Sequence, residues 1–257
     1  MATADLLMAA TEGVLLSVEA ALEGGADVDA VDEGGNCALH LALQGGHVGA
    51  VRALLAAGAN TTLLDGEGQA PLALAAQLES AECLAVLLAA GADAAGPAGG
   101  LALRAAVAAD SVACVTALLA AGVDVHGGRV TGVLFFSHLM AACNAGKLGA
   151  ARALLAAGAN PLDSDELGVS ALHQCQYGPH PAVLRELLAV PGPGRIPDEA
   201  LPGHACAGVP LTQLRSDAAW DGAAMRPGRG AAVAFRAAWR KRYSDAASRE
   251  ARLAALK

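Results

Sequence analysis

Arg52-Ala-Leu-Leu-Ala-Ala-Gly-Ala-Asn60 recurs without a change as residues Arg152 to Asn160. Weaker copies fill the interval. Gly-Ala-Asp or a variant of it begins at Gly25, Gly58, Gly91, Gly122 and Gly158, at spacings of 33, 33, 31 and 36. A second marker follows the same rhythm: Leu6, Leu39, Leu72, Leu103, Leu139 and Leu172, spaced 33, 33, 31, 36 and 33. Two separate markers that drift together define one repeated unit, with a two-residue deletion followed by a compensating insertion.

Within a unit the pattern reads helix, turn, helix, loop. Asn36 to Leu43 fits a short helix, and Gly45-Gly46 closes it because glycine accepts the left-handed C-cap geometry. Val48 to Ala57 forms a second helix, with Val51, Leu54 and Leu55 on one face. Gly58-Ala59 closes that helix, and the polar, Gly-rich run from Asn60 to Gly68 suits a projecting hairpin loop.

These units resemble the ankyrin repeat, whose pattern is D-x-x-G-x-T-P-L-H-x-A, then G-H, then V-V-x-x-L-L-x-x-G-A-D. Asp32 to Asn60 matches nearly every marked position, with Cys37 and Ala38 in place of T-P. Asp65 to Asp93 keeps Pro71-Leu72 and Leu87-Leu88, with Ala73 for the His. Asp165 to Leu188 keeps Gly168, Ser170, Leu172-His173 and Leu187-Leu188. The units around Leu103 and Leu139 have degenerate loops, and the first begins only at Asp5-Leu6. The resemblance implies an all-α solenoid of about six stacked helix-turn-helix units over residues 5 to 190, with projecting hairpin loops. It also implies recognition of a protein partner on a concave face.

Composition sets limits on function. Of the 257 residues 54% are hydrophobic but only 3% aromatic, so the core is built from Ala, Leu and Val and each helix pair alone is a poor core. No apolar run reaches the roughly 20 residues of a membrane helix, and Met1 to Asp5 carries no basic start of a secretory signal. The six cysteines form no CxxC pair, so the chain reads as reduced, intracellular and cytoplasmic. Charge divides the chain. Residues 1 to 190 hold 6 Lys+Arg against 19 Asp+Glu, a net of -13, and residues 191 to 257 hold 11 against 6, a net of +5.

Catalytic and metal chemistry finds little support. His40 and His173 occupy the repeat's T-P-L-H position, where the resemblance implies an imidazole that ties loop backbone together. His173, Cys175 and His180 have a loose metal-like spacing, but residues two apart on a helix face different directions. His204-Ala-Cys206 lacks a second pair to complete four ligands. Asp163, Asp165 and Glu166 read as a solvated acidic tip. Phosphate loops, nucleophile elbows and H-E-x-x-H are absent from the sequence. The chain is therefore expected to be no enzyme, with no cofactor, metal or small-molecule substrate. The hairpin position at which the family is sometimes hydroxylated on Asn holds Asp29, Thr62, Ala95, His126 and Leu162.

Register places the groove-facing residues at hairpin tips and at the end of each unit's first helix, as the resemblance implies. Units two and three offer Gln44 and Gln77, and unit four offers only Pro97, Gly100 and Ala108. Unit five offers Phe136 and Asn144, and unit six Gln176 and Tyr177. Aromatic anchors dominate binding energy in many interfaces. The expectation is a principal site around Phe136 and Tyr177, with Asn144 and Gln176 as polar neighbours.

Residues 191–230 are rich in Pro and Gly and read as a linker with a capping segment. Residues 231–257 read as a basic amphipathic helix with Phe235, Trp239 and Tyr243 along one side. Phe235 and Arg240 match positions of the IQ motif, which it resembles, while Arg236, Lys241 and Asp245 depart from it. That resemblance implies a calmodulin-like partner and a calcium-responsive role. Docking of the helix on the acidic repeats is the competing reading. Binding of the tail to nucleic acid or an acidic membrane is a third, distinguished by steep salt dependence. Nucleic acid is not the expected partner.

Overall fold

The computed structural model describes residues 2–126, 137–161, 170–171, 174–175, 180–189, 205–206 and 209–210. It divides into two compact units, Met1–Asp124 and Val125–Lys257.

The first unit holds eight helices: α1 (Ala2–Glu12), α2 (Leu15–Glu23), α3 (Ala38–Gln44), α4 (Val48–Ala56), α5 (Pro71–Gln77), α6 (Ala81–Ala89), α7 (Pro97–Ala109) and α8 (Val112–Ala120). Each odd helix packs on the even helix that follows it. Odd helices also pack in series, α1 on α3, α3 on α5, α5 on α7, and even helices likewise. The result is two layers. Most of these helices span nine residues or fewer, short of the roughly 12–15 residues at which an isolated helix becomes even marginal. Burial between neighbouring repeats therefore has to stabilise them.

The core follows the repeat. Leu6, Leu39, Leu72 and Leu103 line the odd layer, and Val51–Leu54, Leu84–Leu87 and Val115–Leu118 line the even layer; all are essentially inaccessible. The members of each pair are three residues apart, one helical face. The glycine that ends each even helix is held left-handed, φ 88° at Gly58 within the repeated string, a conformation that penalises any side chain.

Loops are fixed by short acidic side chains. Asp32 Oδ1 accepts from Asn36 N at 2.8 Å, and Asp65 Oδ1 accepts from Gln69 N at 2.8 Å, closing equivalent turns one repeat apart. Asn36 and Cys37 thus precede α3 rather than starting it, and Cys37 bridges to Val31 across the hairpin. α1 in turn begins at Ala2, ahead of the Asp5 at which the repeat pattern starts.

Unit four departs from the sequence reading. Its two missing residues remove the hairpin, and α7 extends through the space, spanning 13 residues against 7 for α3 and α5. Pro97 and Gly100, expected at a hairpin tip, lie in the first turns of α7. Asp93 Oδ1 accepts from Ala95 N and Gly96 N at 3.0 and 2.9 Å, which fixes the abbreviated loop, and Pro97 at the helix start needs no N–H partner.

The second unit holds α9 (His138–Ala145), α10 (Leu148–Ala156) and α11 (Pro181–Ala189), with Ala171, Gln174 and Cys175 helical between them. α10 packs on α9 and on α11. Leu139, Leu154, Leu184 and Leu187 are buried in the same register as their counterparts in the first unit. Arg152 of α10 pairs with Glu186 of α11 at 2.6 Å, a surface contact that adds little to stability. Ala205–Cys206 and Val209–Pro210 form a two-residue antiparallel pair.

Candidate functional site

Odd helices of the first unit end on a left-handed residue. Glycine fills that position at Gly13 and Gly46, but the same register holds Glu79 after α5 (φ 57°) and Asp110 after α7 (φ 61°). A non-glycine residue there costs roughly 1–2 kcal/mol. Aspartate tolerates the conformation better than glutamate does. Two neighbouring repeats thus carry carboxylates where the repeat otherwise favours glycine.

Between α5 and α7 runs a groove of about 720 Å³. Ala73, Ala105, Ala108 and Ala109 form its apolar floor, and Gln69, Gln77, Glu79 and Arg104 stand among its walls. Leu101, also lining it, is 47% exposed. The groove owes its shape to unit four, where the first turns of α7 stand in place of a hairpin and face the turn at Gly68 and Gln69. Gln69 is steadied by a bond from its Nε2 to Glu67 Oε2 at 3.2 Å.

Gln77 thus lies in the groove, and Gln44 is exposed at the equivalent end of α3 but does not line it. Asn144 is exposed near the end of α9, in the other compact unit. Phe136, Gln176 and Tyr177, and the tail residues Phe235, Trp239, Arg240 and Tyr243, lie outside the described residues. Sequence reasoning missed Leu101, Arg104, Glu79 and Asp110. The signals that mark them are the 31-residue interval and the loss of Gly at positions 79 and 110.

Several titratable side chains lie in the core. His40 is fully buried; its Nδ1 accepts from Cys37 N at 3.3 Å and meets Cys37 Sγ at 3.0 Å. Burial pushes the imidazole below its ordinary value, opposed by the nearby Asp65 carboxylate. Nε2 has no acceptor in hydrogen-bonding geometry, although the Leu63 and Gln69 backbones are near enough to favour its proton. Desolvation outweighs both contacts. Burial raises the Cys37 thiol, and in the second unit a hydrogen bond donated to Cys143, together with burial, raises Cys175 far above the thiol range. A buried neutral thiol beside a neutral imidazole is not an activated nucleophile. Among the described residues no three His, Cys, Asp or Glu side chains cluster to hold a metal, and no helix is long and apolar enough to cross a membrane.

His40 makes a pH prediction. Its folded pKa lies below its unfolded value of about 6.5, so only the unfolded chain takes up the proton as acid is added. The contribution is complete above about pH 6.5 and is lost below it, down through the folded pKa. Urea midpoints are expected to fall between about pH 7 and 5.5, and less steeply in His40→Gln. Equal slopes in both proteins would contradict this.

A family model for ankyrin repeats, in three copies, matches residues 6–98. The ankyrin repeat domain of Bcl-3, a member of the IkappaB protein family, is 30% identical, with 72% of this chain and 84% of that one covered at a TM-score of 0.65. The chain belongs to the ankyrin-repeat family. The human ASB11 ankyrin repeat domain is 25% identical at TM-score 0.65, covering 90% of this chain and 96% of that one. An ankyrin repeat domain from Acinetobacter baumannii is 29% identical at 0.64, covering 72% and 96%. No curated protein matches in sequence. Ankyrin repeats are in general protein–protein interaction modules, and in this one the odd layer carries the open groove.

Proposed function

We propose that this ankyrin-repeat protein is a non-catalytic adaptor that binds a protein partner through the odd-helix layer, with the groove between α5 and α7 as its anchor point. The observation that carries this reading is the groove itself: an apolar floor of alanines, an exposed Leu101, and the amides of Gln69 and Gln77 beside it. Small floor residues leave room for a large partner side chain, and amides satisfy a partner's backbone. Such a mixture of apolar floor and polar edge is what partner sites present.

Leu101→Ala and Gln77→Ala are each expected to weaken partner binding by roughly 1 kcal/mol or more, as interface anchors do. Both side chains are exposed, so thermal melting should stay nearly unchanged. Calorimetric affinities beside melting curves check this. Unchanged affinity in both variants would remove the groove from the interface. The sequence also proposes Phe136 and Tyr177 as aromatic anchors, and an IQ-like tail around Phe235 and Trp239 for a calmodulin-type protein.

A further inference from the structure

We propose that the segment seated in the α5–α7 groove is basic, carrying lysines or arginines around one large apolar side chain. This rests on the groove reading above and adds the chemistry of its occupant. Three observations carry it. First, Glu79 and Asp110 replace glycine at left-handed positions in the two repeats that build the groove, and in no other repeat of the first unit. Backbone strain kept at a site where glycine would relieve it is the signature of a side chain retained for function. Second, residues 1 to 124 hold 15 acidic against 2 basic side chains, a net of -13. A field of one sign steers a partner of the opposite sign and speeds its encounter. Third, four alanines line the groove together with Leu101, which leaves room for a large apolar side chain.

Arg104 refines the picture. It is one of those two cations, it is exposed, and it lines the groove. A guanidinium there repels a partner lysine set directly over it and offers donors to partner carbonyls. Partner cations therefore sit toward Glu79, which lines the groove at the C-terminal end of α5.

The test uses the full chain and two synthetic helical peptides on one Leu/Trp frame, one bearing lysines and the other glutamates. The lysine peptide should bind, more weakly as salt rises. Ala108→Trp, which fills the groove at constant charge, should weaken it at least about tenfold. Arg104→Glu should tighten it. Glu79→Gly should raise the melting temperature, because the strain is relieved, and yet weaken the lysine peptide several-fold. A purely structural Glu79 would move only the first of these. If the glutamate peptide binds instead and Ala108→Trp blocks it, the groove stands and the basic partner is wrong. If Ala108→Trp changes nothing for either peptide, the groove reading itself fails.

Discussion

Leu54→Ala is expected to destabilise the first compact unit by roughly 2 to 5 kcal/mol in chemical denaturation, as buried Leu→Ala changes do. Leu54 is completely inaccessible, on the buried face of α4 with Val51, and α4 packs against α2, α3 and α6. Each repeat of a solenoid is stabilised chiefly by its neighbours, so a cavity there weakens two interfaces together. A loss below about half a kcal/mol, far under the range for such truncations, would mean that another face of α4 is buried.

The second large effect falls on Gly99. In an ordinary helix interior, Gly→Ala stabilises by up to about 1 kcal/mol. Gly99 is different. It is buried in the first turns of α7, where an added Cβ would strike the carbonyl and Cα of Ala94 in the shortened loop. The obstacle is backbone, which cannot swing aside, so Gly99→Ala is expected to cost roughly 1–3 kcal/mol as an overpacking change. Gly100, the next residue, has nothing within 4 Å of its Cβ position. Gly100→Ala should therefore stabilise the protein. Opposite signs from adjacent glycines, read as urea midpoints, are the expected result. The same sign in both would show that α7 does not crowd the loop before it.

These two glycines mark where sequence stopped being sufficient. The repeat markers coincide with the core because burial recurs with the period: Leu39, Leu72 and Leu103 are all inaccessible. The ankyrin family was legible for the same reason. The 31-residue interval was legible as a deletion, but its consequence was not. A missing hairpin leaves a gap, and whether the chain closes it with a loop or a longer helix depends on Pro97 at the start and on space beside Gly99. The pattern assigned Pro97 and Gly100 to a tip, and they are helical. Unit four therefore read as bland, although it supplies Leu101, Arg104, Ala105 and Ala108 to the groove.

The ends of the odd helices hold the same lesson. Glu79 and Asp110 stand in the register of Gly13 and Gly46. The pattern treats such positions as turns, in which polar residues are ordinary. Only the positive φ shows that carboxylates occupy a glycine conformation. Gln77 is exposed at the end of α5, where side-chain direction follows the helical period. The charge contrast between residues 1–190 and the tail was visible at once, but the placing of Glu79 and Arg104 on one groove required coordinates.

Site-specific photo-crosslinking tests the central claim most directly. A benzophenone side chain at Ala108, in the groove, is compared with one at Ala85, exposed on α6 in the other layer. The account predicts that the same partner protein crosslinks from Ala108 and not from Ala85. Capture of that partner from Ala85, with none from Ala108, would contradict it.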